Sequence, residues 1–242
     1  LDLYGEALEA ARRLGERVPA TTFMAIHRAR AGLFFGIGDF DRSRAEAEVL
    51  VELARRVQDR PEEAGALVQV ASALQWAENL PAALERAREA IEIAEAVGAA
   101  APLSGGLFVR GYVQAVSGRL DAAEADLLRA FEVARTSAAP GRQARALHLL
   151  GRYKSWQGQY REGMELNGDG ARIAREHRLV LPLLRCLWVH GLASSETGNY
   201  DAALAVLDEG LALAEKIGDD AFIPRFLNTL GWLRIDCGDF AR

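Results

Sequence analysis

Apolar and small residues recur along this chain with a period of forty. Leu67, Leu107, Leu147, Leu187 and Leu227 share one register, with His27 holding the same place earlier. Four residues after each stands a small residue: Ala31, Ala71, Gly111, Gly151, Gly191 and Gly231. Seven residues further on comes a short polar break. It reads Gly38-Asp39-Phe40, Glu78-Asn79-Leu80, Gly118-Arg119-Leu120, Gly158-Gln159-Tyr160, Gly198-Asn199-Tyr200 and Gly238-Asp239-Phe240. With the first residue of each break as zero, Ser43, Ala83, Ala123, Gly163 and Ala203 stand at plus five. Ala54, Ala94, Ala134, Ala174 and Ala214 stand at plus sixteen. On both sides of the break the apolar residues fall at helical spacing. Two helices per period, repeated in phase, make a stacked array in which each unit packs on its neighbours.

The first helix of each unit is expected from about minus sixteen to minus two, the second from about plus three to plus nineteen. Pro61, Pro102, Pro140, Pro182 and Pro224 open first helices, and Pro81 opens a second. Proline is tolerated there because the N–H it lacks has no intrahelical partner. Asp121 and Asp201 suit the positive end of a helix. Gly98 and Gly218 fall where a second helix should close with a residue of positive φ. The opening segment is out of phase by three. Ala11 and Gly15 match Ala214 and Gly218 only if the following connection is three residues longer. Residues 1–17 therefore read as the second helix of a cut unit. The small residues at fixed places predict close approach of helix backbones. Asn167-Gly168-Asp169-Gly170 lies in phase inside a second helix. It lacks the acidic spacing of a calcium loop, and with Gly163 it marks either close packing or a hinge.

The pattern small-x-x-x-x-x-x-Gly-x-aromatic-x-x-small, clearest at Gly191, Gly198, Tyr200 and Ala203, resembles the tetratricopeptide repeat across essentially the whole chain. The common form has about 34 residues per unit; these units are longer. Forty-residue units are similar to the repeat region of MalT-type and LuxR-type bacterial activators. They also resemble repeats attached to signalling ATPases and nucleotide cyclases. The resemblance implies an all-α, right-handed superhelical solenoid of antiparallel helix pairs, lined on its concave side by first helices. It implies a single repeat domain over residues 1–242, with units anchored at 38, 78, 118, 158, 198 and 238. It further implies a regulatory or sensor role within a multidomain signalling protein, a transcriptional activator above all. A general protein-interaction adaptor is the alternative.

Composition narrows the partners. The net charge of −5 speaks against direct nucleic-acid contact through the overall field. No apolar run approaches the roughly 18 residues of a membrane span, and no secretory leader opens the chain. Two isolated cysteines, Cys186 and Cys237, make no disulfide framework and suggest a reducing, cytoplasmic setting. The chain lacks an initiator methionine and stops just after its sixth break, so a piece of a longer protein is expected. No phosphate-binding Gly-x-x-x-x-Gly-Lys-Ser/Thr motif occurs. His27, His148, His177 and His190 sit on different registers with no ligand spacing, so no metal, cofactor or catalytic set is expected. The Arg-Arg pairs at 12–13 and 55–56 read as solvated surface.

One register set carries candidate chemistry. Positions minus ten, minus six and minus two span about 80° of a helix face at 100° per residue, and minus thirteen lies beside them. All four tryptophans fall there: Trp76, Trp156, Trp188 and Trp232. Phe108 and Tyr112 join them, and the later units add Arg145, Arg185 and Arg225, with His148, Arg152 and Asn228. Arginine pairs with carboxylate or phosphate through two parallel hydrogen bonds, and aromatic faces stack on rings or apolar groups. This stripe fits a groove for a peptide, a protein partner or a small-molecule effector. The same residues fit packing between successive first helices. Self-association is left open.

Overall fold

The computed structural model describes residues 2–238. The elements are α1 (Asp2–Leu14), a 3-10 turn (Gly15–Arg17), α2 (Ala20–Gly36), α3 (Phe40–Arg56), α4 (Arg60–Trp76), α5 (Leu80–Val97), α6 (Ala100–Val116), α7 (Leu120–Thr136), α8 (Pro140–Trp156), α9 (Tyr160–Glu176), α10 (Val180–Glu196), α11 (Tyr200–Ile217) and α12 (Phe222–Asp236). No strand occurs among the described residues. The chain forms two compact units, residues 1–133 and 134–242, with the division inside α7. In each unit consecutive helices pack as antiparallel pairs, and first helices of successive repeats also touch: α4 with α6, α8 with α10, α10 with α12.

The connections explain the strict period. A left-handed residue stands at every twentieth position from 38 to 238: Gly38, Gln58, Glu78, Gly98, Gly118, Ala138, Gly158, Arg178, Gly198, Gly218 and Gly238. From 38 to 218 each of these loops is closed by the same pair of backbone bonds. At the first, Gly38 N–H donates to the Phe35 carbonyl at 3.1 Å and Asp39 N–H to the Phe34 carbonyl at 2.9 Å. This is the Schellman arrangement, which satisfies the last carbonyls of a helix. The next residue starts a new helix at once, and Asp39 and Asp59 accept at 3.1 Å from the N–H of Arg42 and Glu62. From α2 to α11 a helix of 17 or 18 residues and a connection of two or three therefore alternate without slippage, and a connection of four leads into the 15-residue α12. The 3-10 turn supplies the three extra residues after α1, and Gly15 is left-handed there, as Gly218 is after α11.

Small residues hold the helix pairs together. Ala54, Ala94, Ala134, Ala174 and Ala214 are fully buried. Position minus seven of a first helix meets position plus five of its partner: Ser43 Oγ donates to the Ala31 carbonyl at 2.9 Å. Leu67 and Leu107 fill the core of the first unit, and Leu184, Leu187, Leu207, Phe226 and Leu230 that of the second. Each such side chain contributes about 1.5–3 kcal/mol by leaving water. Helix α9 is continuous through Asn167-Gly168-Asp169-Gly170. Gly163 and Gly170 mark close packing: a Cβ on Gly170 would sit 2.8 Å from Cys186 Sγ. Leu227 departs from the register expectation. It is 51 % exposed, as no described helix follows α12 to cover the face that buries its counterparts.

A second register, at plus seventeen and plus eleven, stitches successive second helices. Arg55 bonds Glu89 at 2.6 Å, Arg129 bonds Glu95 at 2.6 Å with the signs exchanged, and Arg175 bonds Glu209 at 2.8 Å. Arg55 is thus not simply solvated surface. It also reaches the buried Glu63 carboxylate at 2.8 Å.

Candidate ligand-binding cleft

In the second unit, the C-terminal halves of α8 and α10 and the start of α9 enclose a cleft of about 420 Å³. Trp156 and Arg152 stand on one wall, Trp188, Leu192 and Glu196 on the other, with Tyr160 from the polar break between them. Trp156 is 54 % exposed although it is the largest apolar side chain of α8. The Arg152 guanidinium lies over its ring, 4.6 Å from the centroid. Across the cleft, Trp188 Nε1 donates to Thr229 Oγ1 of α12 at 3.0 Å, which fixes the indole. Arg225 covers that indole at 5.8 Å and Phe222 at 5.1 Å. The slot therefore has two aromatic faces, an acid and a base, and an opening to solvent. Such a site takes an apolar side chain together with hydrogen-bonding groups beside it.

One to two helical turns toward the N-termini of the same helices, the chemistry becomes cationic. Arg145 and Arg185 occupy one register on packed neighbours and are half-buried. Burial, then the charges of Arg185 and Arg142, push the Arg145 guanidinium down to about 9. Arg185 is lowered too, by burial and by Arg225. His148, buried beside them, is pushed down to about 3 by burial, then by Arg185 and Arg152, with the Asn167 side chain pulling the other way. Among the described residues Arg185 makes no hydrogen bond or ion pair. The carboxylate that favours its charge from a distance, Asp219, already accepts from the N–H groups of Ala221 and Phe222 at 3.0 and 2.8 Å.

Three sequence candidates, Arg152, Trp156 and Trp188, meet in the cleft; Arg145, His148, Arg185 and Arg225 form the cationic region beside it. Asn228 and Trp232 lie on the exposed face of α12 and do not line the cleft. The remaining three belong to the first unit. Trp76 stacks on Phe40, with centroids 5.8 Å apart, and meets the edge of Phe35. Phe108 is buried in α6 and Tyr112 is half-buried. Tyr160 lies outside the candidate registers because it starts a second helix, whereas Glu196 stands at minus two, the place Trp156 holds one unit earlier, and is a carboxylate among aromatic and basic candidates. Their signal was the polar break itself, which brings plus two of one unit toward minus two of the next. A second cleft, of about 610 Å³, lies among α3, α4 and α5 of the first unit, lined by Val49, Leu53, Val70, Arg56 and Arg86.

The histidines form no cluster. His27 Nδ1 donates to Glu46 at 2.6 Å, and Glu46 also accepts from Arg30 at 2.8 Å. No group of His, Cys, Asp and Glu suited to a metal occurs among the described residues. Cys186 is buried and its thiol is pushed up to about 12 by burial, so it is unreactive; Cys237 is exposed and also unbridged. Among the described residues no helix is long and apolar enough to cross a membrane.

No protein-family model and no curated protein matches the sequence. Solved structures do. A Rap protein complexed with competence and sporulation factor aligns with a TM-score of 0.77 at 19% identity, over 93% of this chain and 66% of that one. The apo quorum sensor NprR from B. thuringiensis aligns at 0.73 and 14%, over 98% of this chain and 66% of that one. The Rap conjugation gene regulator of plasmid pLS20, in complex with the Phr* peptide, aligns at 0.71 and 16%, over 100% and 71%.

These helix pairs form a TPR-like all-α fold.

The fold expectation is met at that level, and the similarity is to Rap and NprR structures. The chain spans about two thirds of the length of the first of them.

Proposed function

We propose that this chain is a non-catalytic regulatory solenoid that binds a peptide in the α8–α10 cleft and passes occupancy to flanking domains. The carrying observation is the exposed Trp156 under Arg152, facing a second tryptophan held in place by Thr229. Exposing an indole costs stability that burial would otherwise supply, so a solvent-open aromatic slot is better explained by a ligand than by packing. One similar Rap structure was solved with competence and sporulation factor and the pLS20 Rap regulator with the Phr* peptide, which supports the reading. A bacterial signalling protein, with residues 1–242 as one functional array in the cytoplasm, is part of the proposal. A transcription-activating output is its finer part.

The test is the double substitution Arg152→Ala with Trp156→Ala. Both side chains are partly or largely exposed, so the thermal midpoint should move little. Retention of random pentapeptides on the immobilised protein, read by mass spectrometry, should fall at least tenfold. Retention equal to that of the native chain would overturn the cleft as the site.

A further inference from the structure

One wall of the cleft is set by a helix that does not line it. Trp188 of α10 forms that wall, and Thr229 and Arg225 of α12 hold it from outside. The torsion that orients an indole is broad, so a rotamer alone leaves the plane of the ring loosely defined. Here the ring N–H settles it. Trp188 Nε1 donates to Thr229 Oγ1 at 3.0 Å, and Thr229 Oγ1 donates in turn to the Arg225 carbonyl at 2.8 Å. The hydroxyl proton is committed to its own helix, which leaves the oxygen to accept from the indole. One turn earlier on α12, the Arg225 guanidinium lies over the same ring. The orientation of Trp188 therefore depends on where α12 sits. That helix is held less firmly than those before it. Among the described residues it packs only on α10 and α11, and its Leu227, Trp232 and Ile235 stand exposed. Elements with few buried contacts open locally at the lowest cost.

We infer that Thr229 is a positioning residue of the peptide cleft, and that through its bond to Trp188 occupancy of the cleft and docking of α12 are coupled. A peptide side chain packed on the Trp188 face selects the ring orientation that the Thr229 bond enforces, and so favours the docked α12. The effect is reciprocal. The factor by which a docked α12 tightens peptide binding is the factor by which the peptide tightens docking. The element with two positions is α12, and the peptide biases it only because the docked position alone presents the indole correctly. A factor of about five is expected for one orienting hydrogen bond. This inference rests on the peptide reading of the cleft and names the helix that carries its signal.

The experiment uses the whole chain and a random pentapeptide library as the probe. Amide hydrogen exchange along α12 is read by mass spectrometry with and without the peptides that the immobilised native chain retains. Those peptides should slow α12 exchange in the native chain by about fivefold. Thr229→Val keeps the shape and removes the acceptor. It should lower retention by a similar factor and abolish the slowing. Thr229→Ser keeps the hydroxyl and should behave as the native chain. Trp188→Phe keeps an aromatic face without the donor, and Thr229→Val added to it should cost no further retention. If the Val variant fails to fold, Trp188→Phe must lose the slowing in its place. Peptide binding that leaves α12 exchange in the native chain unaltered overturns the coupling while leaving the cleft as a peptide site. Equal retention by the native and Thr229→Val chains does the same. Faster α12 exchange in the free Thr229→Val chain, with the peptide-induced slowing intact, shows a structural hydroxyl and also overturns the coupling alone. No retention by the native chain overturns both readings.

Discussion

A Cβ added to Gly163 would stand 2.8 Å from the carbonyl oxygen of Gly151, and one added to Gly151 would stand 2.7 Å from that of Gly163. The two glycines let α8 and α9 approach backbone to backbone, and Asn167 Nδ2 locks the site by donating to the Gly163 carbonyl at 2.8 Å. Gly163→Ala gains up to about 1 kcal/mol of helix propensity but forces apart two rigid backbones, at roughly 1–3 kcal/mol. A net loss is expected in urea unfolding. Gly168, five residues further along α9, has His190 as its nearest neighbour at 3.6 Å. There alanine should stabilise by about 1 kcal/mol. Equal signs for the two variants would refute the close-approach account.

The loops predict the opposite preference. Glu78 and Arg178 carry side chains at left-handed positions, with φ of 60° and 54°. A left-handed backbone costs a residue with a Cβ about 1–2 kcal/mol, partly offset by the larger unfolded-state freedom of glycine. Glu78→Gly and Arg178→Gly should each raise stability by about 0.5–1 kcal/mol, measured by chemical denaturation. Gly198→Ala, at φ 76° with open space around its Cα, should lower it by a similar amount although no atom clashes.

The ionic stitches differ in worth according to what lies behind them. Arg55 serves Glu63, whose side chain is only 3 % exposed, whereas Arg175 serves a Glu209 that is 45 % exposed. Arg55→Met weakens the support of a buried carboxylate that keeps Arg60 as its other partner, and should cost about 1–2 kcal/mol. Arg175→Met should cost no more than about 0.5 kcal/mol. Thermal unfolding of the two variants in low and in high salt distinguishes them, since the exposed pair alone should fade with screening.

Buried histidine makes stability depend on pH. His148 is held down to about 3, and His190 is lowered as well, both chiefly by burial. Above pH 6.5 each is neutral in the folded and the unfolded chain, and neither contributes. As pH falls below 6.5 the unfolded chain takes up protons that the folded chain refuses, so stability is lost. For His148 the loss continues toward pH 3, at up to about 1.4 kcal/mol per pH unit. Glu46 adds to the acid sensitivity. Burial alone would raise it, but its hydrogen bonds to Arg30 and His27 leave it lowered. Its stabilisation is present above the ordinary carboxylate range and lost as pH falls through the lowered value. Equilibrium unfolding at pH 7, 6, 5 and 4 should show a shallower decline for His148→Gln than for the native chain. Parallel declines would sink the assignment.

Periodicity made most of this fold readable in advance. Small residues at minus seven, plus five and plus sixteen set the helix pairs, because a packed array tolerates no change of volume at its contacts. The expected helix limits hold to within about two residues, as the proline and αL positions suggested. The four left-handed residues that are not glycine were invisible, because tertiary packing of the flanking helices overrides the local preference. The ionic stitches were present in the sequence as complementary signs 34 residues apart, a spacing that matters only once successive second helices are known to lie side by side.

The forty-residue period determined the elements, their pairing and the direction of each side chain around its own helix, because those follow from 3.6 residues per turn and a fixed loop. It could not say which of the marked residues meet. Trp76 and Trp156 share register minus two, yet Trp76 packs against Phe40 and Phe35 while Trp156 stands open under Arg152. Arg185 and Arg110 are both half-buried arginines of first helices, yet Arg110 faces Asp126 and Arg185 faces other arginines. Those differences come from what the neighbouring helix presents across a gap of a few ångströms, and only the packed structure decides that.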